Sequence, residues 1–156
     1  MKQSAIIDIG TNNVTSVYNA CKAIDLKVIV TKDIKEIKSS SSLILPGVGS
    51  SNFFMKKLGE LNIFEELLTF KESGKMIFGI CLGMQALFDK SYEIEETKML
   101  SFLRGDVLKL DNKFDKKIMI PHIGWNKTII KKNDGLFENL NHYEFFYYIH
   151  SYSVEP

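Results

Sequence analysis

Residues 76–85, Met-Ile-Phe-Gly-Ile-Cys-Leu-Gly-Met-Gln, leave this chain few ways to fold. An apolar, β-type run at 76–80 leads directly into Cys81, and a helical pattern opens at Met84 with no loop between them. A strand that becomes a helix across three residues needs a sharp turn. Gly79 and Gly83 make such a turn possible, because without Cβ atoms the two elements can approach closely. This strand–nucleophile–helix elbow sits naturally at the end of a parallel strand in a layered α/β sheet.

The rest of the chain agrees. Short apolar runs at 4–9, 26–31 and 43–45 read as buried strands, punctuated by Gly10 and by Pro46-Gly47-Val48-Gly49. Between them lie helical patterns at 13–24, 33–38, 53–58 and 63–70, then one at 84–88. Val14, Val17, Tyr18 and Cys21 share one helix face. The four serines 39–42 read as a polar loop. The expected fold class is α/β: a mostly parallel sheet with helices on both faces and a flavodoxin-like core. After Lys98 the texture changes. Strand-like runs at 105–110, 118–120, 127–130 and 144–152 predict antiparallel β additions in the C-terminal third. Residues 1–156 are expected to form a single domain.

Composition excludes several function classes. With 20 basic and 19 acidic residues and a net charge of +1, there is no electrostatic case for nucleic acid or an acidic membrane surface. The densest basic pairs, Lys116-Lys117 and Lys131-Lys132, read as solvated turn or edge positions. Neither cysteine belongs to a CxxC pair, so neither a disulfide framework nor a zinc site is expected. No metal and no cofactor are expected, and no Walker or dinucleotide glycine loop occurs. No segment approaches the ~18 apolar residues of a membrane span, and the N-terminal apolar run is too short for a signal peptide. A cytoplasmic protein is expected.

Cys81 and Cys21 contrast. Cys21 lies mid-helix on an apolar face, where a cysteine behaves as a small hydrophobe. Cys81 sits at the elbow, where the following helix start places N–H groups and a partial positive charge beside the sulfur. The Leu82 N–H falls where a tetrahedral oxyanion would form. Those features point to nucleophilic chemistry at Cys81.

Four further segments place the elbow in a family. Gly79-Ile80-Cys81-Leu82-Gly83-Met84-Gln85 resembles the cysteine elbow of class I (triad-type) glutamine amidotransferases, and Leu45-Pro46-Gly47-Val48-Gly49 is similar to their oxyanion loop. Pro121-His122-Ile123-Gly124-Trp125-Asn126 and Tyr147-Tyr148-Ile149-His150-Ser151-Tyr152 resemble segments of the glutaminase subunits of imidazole glycerol phosphate synthases. Asp8-Ile9-Gly10-Thr11-Asn12-Asn13 is similar to their first strand-loop, with Asn12 where glycine is usual. The resemblance implies that Cys81 attacks the glutamine side-chain amide, forms a thioester and releases ammonia. It implies an oxyanion hole from Gly47, Val48 and Leu82, and glutamine contacts from Gln85, Glu93, Ser151 and Tyr152. It also implies a partner-facing surface including Asn13, Trp125 and Tyr147. The implied partner is a (β/α)8 cyclase (synthase) subunit that uses the ammonia, the pair forming a heterodimer in histidine biosynthesis.

The family takes its catalytic base from an H-P-E motif, which does not occur in these 156 residues. His150 matches the family's strand histidine rather than its base. In one extended strand, His150 and Glu155 would also point to opposite faces. The chain is therefore expected to be a fragment of an active glutaminase, with a degenerate, non-catalytic interaction subunit as the alternative. A glutaminase feeding an enzyme that amidates surface sugars shares the same chemistry. A thiol hydrolase or protease gives the Pro-His-Ile-Gly-Trp-Asn segment no role. His122 and His150 read as structural histidines.

Overall fold

The computed structural model describes residues 3–10, 13–110, 119–132 and 135–156. It contains two compact units, one of residues 1–108 with Val154–Pro156 and one of Lys109–Ser153.

The first unit opens with strand β1 (Ser4–Ile7), helix α1 (Val14–Ala23), strand β2 (Val28–Thr31) and helix α2 (Ile34–Ser39). Strand β3 (Ser42–Gly47), helices α3 (Ser51–Glu60) and α4 (Ile63–Glu72), strand β4 (Met76–Cys81) and helix α5 (Leu82–Gln85) follow. The four strands form a parallel sheet in the order β2-β1-β3-β4. Side chains alternate across it as the pleat requires. Ala5, Ile7, Leu43 and Leu45 join Ile37, Phe54, Leu58, Ile63, Leu67 and Phe70 in the main core, so α2, α3 and α4 cover that face. Ile6 and Ile44 join Cys21, Val14, Val17 and Tyr18 in a smaller cluster, so α1 covers the other. Each fully buried Leu, Ile or Phe contributes about 1.5–3 kcal/mol from its lost water contact. The parallel sheet with helices on both faces is the architecture expected, and Cys21 is the core residue its setting implied.

Boundaries differ for local reasons. Strand β1 stops at Ile7, not at Ile9, because Asp8 Oδ1 accepts the Gly10 N–H at 2.7 Å and turns the chain. The serine tract is not a loop. Ser39 ends α2, the Ser40 hydroxyl donates to the Glu36 carbonyl at 2.8 Å, and Ser42 opens β3 opposite Met76. Strand β3 runs through Pro46 to Gly47. It pairs with β1 at Leu43 and Ile44 and with β4 as far as Gly47, so the proline falls where the β1 ladder has ended. Helix α5 begins at Leu82 but lasts only four residues. It passes into tighter turns, with the Leu87 and Phe88 N–H groups each 3.1 Å from the carbonyl three residues back.

A second small sheet has the order β10-β7-β5-β6, built from β5 (Lys90–Ser91), β6 (Thr97–Lys98), β7 (Asp106–Lys109) and β10 (Tyr152–Glu155). Strand β7 matches the expected run at 105–110. The β5–β6 pair is antiparallel, and β5 and β7 run parallel.

The second unit is a long antiparallel hairpin of β8 (His122–Ile129) and β9 (Tyr143–His150), from His122 opposite His150 to Ile129 opposite Tyr143. A 3₁₀ turn at Gly135–Phe137 lies between them. The strand expected at 127–130 thus starts five residues earlier. In the run expected at 118–120, Ile118 lies outside the described residues, and Met119 and Ile120 are not strand. The run at 144–152 is cut at Ser151, which bends the chain between β9 and β10. His150 and Glu155 therefore occupy different strands, β9 and β10, not the single extended strand on which they would face opposite ways.

Candidate active site

The site forms where β3 and β4 end side by side. Cys81 is the last residue of β4, directly opposite Gly47 on β3, and its side chain is exposed. Its backbone has φ +56° and ψ −120°. That is a positive-φ conformation that residues other than glycine rarely adopt, at a cost of about 1–3 kcal/mol. A cysteine persists there only if its surroundings impose the turn.

Three glycines impose it. A Cβ on Gly79 would strike Met84 Cα and come within 2.7 Å of the Gly83 carbonyl oxygen. A Cβ on Gly83 would fall on the carbonyl oxygen of Leu45. A Cβ on Gly47 would lie 2.5 Å from the Gly83 nitrogen and 2.9 Å from the Phe54 ring. Backbone therefore packs on backbone where β3, β4 and α5 meet, and the elbow is wedged against the end of β3. This brings Gly47, Cys81 and the buried Leu82 together. Val48 follows Gly47 beyond the strand end and is exposed, and Gly49 turns the loop with φ +94°. Gln85 closes α5 and is half-buried. The short helix limits the dipole argument to the backbone groups of a single turn.

Glu93, on the β5–β6 connection, reaches the other end of that loop. Its Oε2 accepts the Ser51 N–H at 2.9 Å and the Ser51 hydroxyl at 3.0 Å, at the first turn of α3. Ser91 completes the group, its hydroxyl 2.7 Å from that of Ser51. Beside it, Glu95 accepts from the Asn52 amide at 2.9 Å. The acidic stretch around Glu93 is thus partly tied to α3 rather than simply solvated. Lys90 and Glu96 bridge the same hairpin at 2.6 Å, and that hydrogen bond raises the Lys90 pKa above lysine's ordinary value.

Asn13 caps α1, its side chain accepting the Ser16 N–H at 3.3 Å. In the second unit, Trp125 and Tyr147 are paired across the hairpin with ring centroids 5.7 Å apart. Trp125 is 70% and Tyr147 53% exposed, on a face shared with Ile123, Phe145 and Ile149. Ser151 and Tyr152 lie at the break after β9. The Ser151 carbonyl accepts the Leu110 N–H at 2.9 Å, and the Tyr152 carbonyl accepts from His150 Nδ1 at 2.9 Å. His150 Nε2 meets His122 Nδ1 at 2.9 Å, and His122 Nε2 meets the Asn126 amide at 2.8 Å. Both histidines are satisfied within the hairpin, as the sequence suggested. Lys131 and Lys132 are exposed, while Lys116 and Lys117 lie outside the described residues.

Among the described residues, no group of three or more His, Cys, Asp or Glu side chains is placed to hold a metal ion. No helix among them is long and apolar enough to cross a membrane.

With this geometry established, comparison with known proteins gives the family. The sequence profile of Glutamine amidotransferase class-I matches residues 5–156. The chain belongs to the class I glutamine amidotransferase family. Among curated relatives, the imidazole glycerol phosphate synthase subunit HisH of Aquifex aeolicus is 40% identical over 155 residues, spanning 99% of this chain and 73% of that one. The corresponding HisH of Pyrococcus furiosus is 38% identical, spanning 100% of this chain and 74% of the relative. A solved glutamine amidotransferase superposes with a TM-score of 0.73 at 18% identity, over 97% of this chain and 74% of that one. PurLQS from Thermotoga maritima superposes with a TM-score of 0.64 at 24% identity, over 97% and 68%. These two likenesses bear on the fold.

Within the amidotransferase fold, sequence reasoning missed Ser51 and Ser91. A serine after Gly49-Ser50 reads as an ordinary helix cap, and Ser91 lies in a two-residue strand that no periodicity announces. Their burial, with neither side chain exposed at all, is the signal that they do more than cap.

Proposed function

We propose that this chain is the glutaminase subunit of an imidazole glycerol phosphate synthase, with Cys81 as its nucleophile. In that role the Cys81 sulfur bonds to the side-chain amide carbon of glutamine. The C–N bond breaks, the nitrogen leaves with a proton as ammonia, and water then cleaves the thioester to glutamate. Negative charge on the amide oxygen would be met by backbone N–H groups at Gly47-Val48 and Leu82. The single observation that carries the reading is the exposed cysteine at φ +56°, wedged by glycines against the end of β3. Strain at a reactive residue is maintained when the turn presents that residue to a substrate.

Gln85, Glu93, Ser151 and Tyr152 are assigned to glutamine. Asn13, Trp125 and Tyr147 are assigned to a (β/α)8 cyclase partner that consumes the ammonia within a heterodimer. Support for a partner comes from one face of the hairpin, where Ile123, Trp125, Ile129, Tyr143, Phe145, Tyr147 and Ile149 are all more than 40% exposed. So many exposed apolar side chains on one face, broken only by Lys127 over the Tyr143 ring, support an interaction site. The relatives' name, a subunit of a synthase, is what selects this acceptor over a sugar-amidating enzyme.

The test is labelling with a diazoketone analogue of glutamine in the presence of the cyclase subunit, with the adduct located by peptide mass spectrometry. Modification at Cys81 that free glutamine suppresses is the expected result. An unmodified Cys81 with the partner present would refute the assignment.

A further inference from the structure

Outside Cys81, α3 and the β5–β6 connection meet in a buried polar contact. Ser51 and Ser91 are both fully buried, an expensive location for two hydroxyls unless each is hydrogen-bonded. Their roles can be deduced in sequence. A carboxylate only accepts, so the Ser51 hydroxyl spends its proton on Glu93 Oε2. In the 2.7 Å bond between the hydroxyls, Ser91 must then donate to Ser51. The oxygen of Ser91 is left to accept, and it faces the Glu93 N–H at 3.3 Å. The loop of bonds begins and ends on Glu93, with every hydroxyl proton committed.

This ring fixes the Glu93 carboxyl group. Oε2 takes both the hydroxyl and the N–H of Ser51. Among the described residues no hydrogen bond engages Oε1, although Glu93 is only half-buried. One carboxylate oxygen is thus used to lock the side chain, which leaves the other available to a ligand. Ser51 stands four residues after Gly47, the partner of Cys81 across the sheet. The lock therefore joins Glu93 to the loop that borders the cysteine. Helix capping alone does not require this arrangement, because the Ser51 N–H would be satisfied without either hydroxyl.

We propose that Ser51 and Ser91 are positioning residues for glutamine, holding Glu93 so that Oε1 faces the substrate's α-ammonium, its one cationic group. The inference rests on the assignment of Glu93 to glutamine made above. It adds that two buried hydroxyls set the carboxylate's orientation and couple it to the Gly47–Ser50 loop.

Alkylation of Cys81 by iodoacetamide tests it, because this reagent needs the thiol but no amino-acid recognition. The rate at Cys81 is measured by peptide mass spectrometry across a glutamine titration. In the unaltered chain glutamine slows alkylation. In Ser51→Ala the half-protecting concentration rises about tenfold, the scale of one hydrogen bond to a charged group, while the rate without glutamine stays within about twofold. Ser91→Ala moves protection in the same direction by about threefold, since it loosens the lock without removing a bond to the carboxylate. Protection of Ser51→Ala at unaltered glutamine concentrations overturns the proposal and leaves the glutaminase reading intact. Absence of protection in the unaltered chain defeats the assignment of glutamine to this site, and the inference with it. If both variants alter the rate without glutamine, the hydroxyls shape the elbow rather than the carboxylate, which also overturns the proposal.

Discussion

Replacing Gly83 by alanine adds one methyl group at the junction on which the elbow depends. The new Cβ would fall on the Leu45 carbonyl oxygen, 2.7 Å from the Leu45 carbonyl carbon and 3.2 Å from that of Pro46. Carbon atoms pack at about 3.5–4.0 Å, so β3 and α5 must separate by on the order of 1 Å. Overpacking by a methylene costs about 1–3 kcal/mol where side chains can repack. Here the obstructing atoms are backbone of a sheet strand that also pairs with β4, so the upper end, about 3 kcal/mol, is expected. Gly59→Ala is the control. Gly59 lies in α3 with nothing within 4 Å of its would-be Cβ, and the same substitution there should stabilise by about 0.5–1 kcal/mol. Urea unfolding followed by far-UV circular dichroism reads both, because the chain's one tryptophan, Trp125, lies in the other unit. A Gly83→Ala midpoint matching the unaltered chain would refute the wedge of glycines as the cause of the Cys81 geometry.

Other outcomes follow from the same structure. Cys81→Gly should be more stable than Cys81→Ala by about 1 kcal/mol, reversing the usual order, because only glycine tolerates φ +56° without strain; equal unfolding midpoints would contradict it. Trp125→Ser should change stability by no more than about 0.5 kcal/mol while weakening capture of the cyclase subunit at least about tenfold, read by calorimetry of folding and of binding. The raised Lys90 pKa means that its bond to Glu96 contributes below lysine's ordinary value of about 10.4 and is lost as pH rises through the folded value. Glu96→Gln should therefore unfold at lower urea than the unaltered chain at pH 8, and the two midpoints should converge only once pH has risen past the raised folded value of Lys90. The Tyr152 carbonyl can only accept, which makes His150 and then His122 donors through Nδ1. Long-range nitrogen–proton spectra should show that tautomer at both rings, and an Nε2–H at neutral His150 would break the deduced chain.

The first unit was legible because its rules are local. Apolar runs of strand length, glycine and proline stops and a three-four helix spacing mark β1 to β4 and α1 to α4 within a few residues. What the sequence concealed was set by partners far along the chain. The serine tract reads as a loop, yet Ser42 is strand because Ser4 and Met76 lie beside it. Strand β8 reads as a short run at its end because Gly124, Trp125 and Asn126 break any simple alternation. The register against β9 nevertheless continues to His122.

The site divides the same way. Cys81 was legible because the strained turn needs small neighbours at fixed, short spacing, and Gly79 and Gly83 meet that need in sequence. Gly47 was legible as a strand stop and, through the family resemblance, as part of the oxyanion loop, but not as the position whose missing Cβ admits the Gly83 backbone. Glu93 illustrates the harder case. Three acidic residues in four positions read as a solvated face, and the local pattern gives no reason to single one out. Ser51 and Ser91 do so from 42 and two residues away, by burying hydroxyls whose only available arrangement closes on that carboxylate. The proton count, rather than proximity alone, makes Glu93 the fixed point of the ring. It is also why removing the Ser51 hydroxyl should weaken glutamine protection while leaving Cys81 open to iodoacetamide.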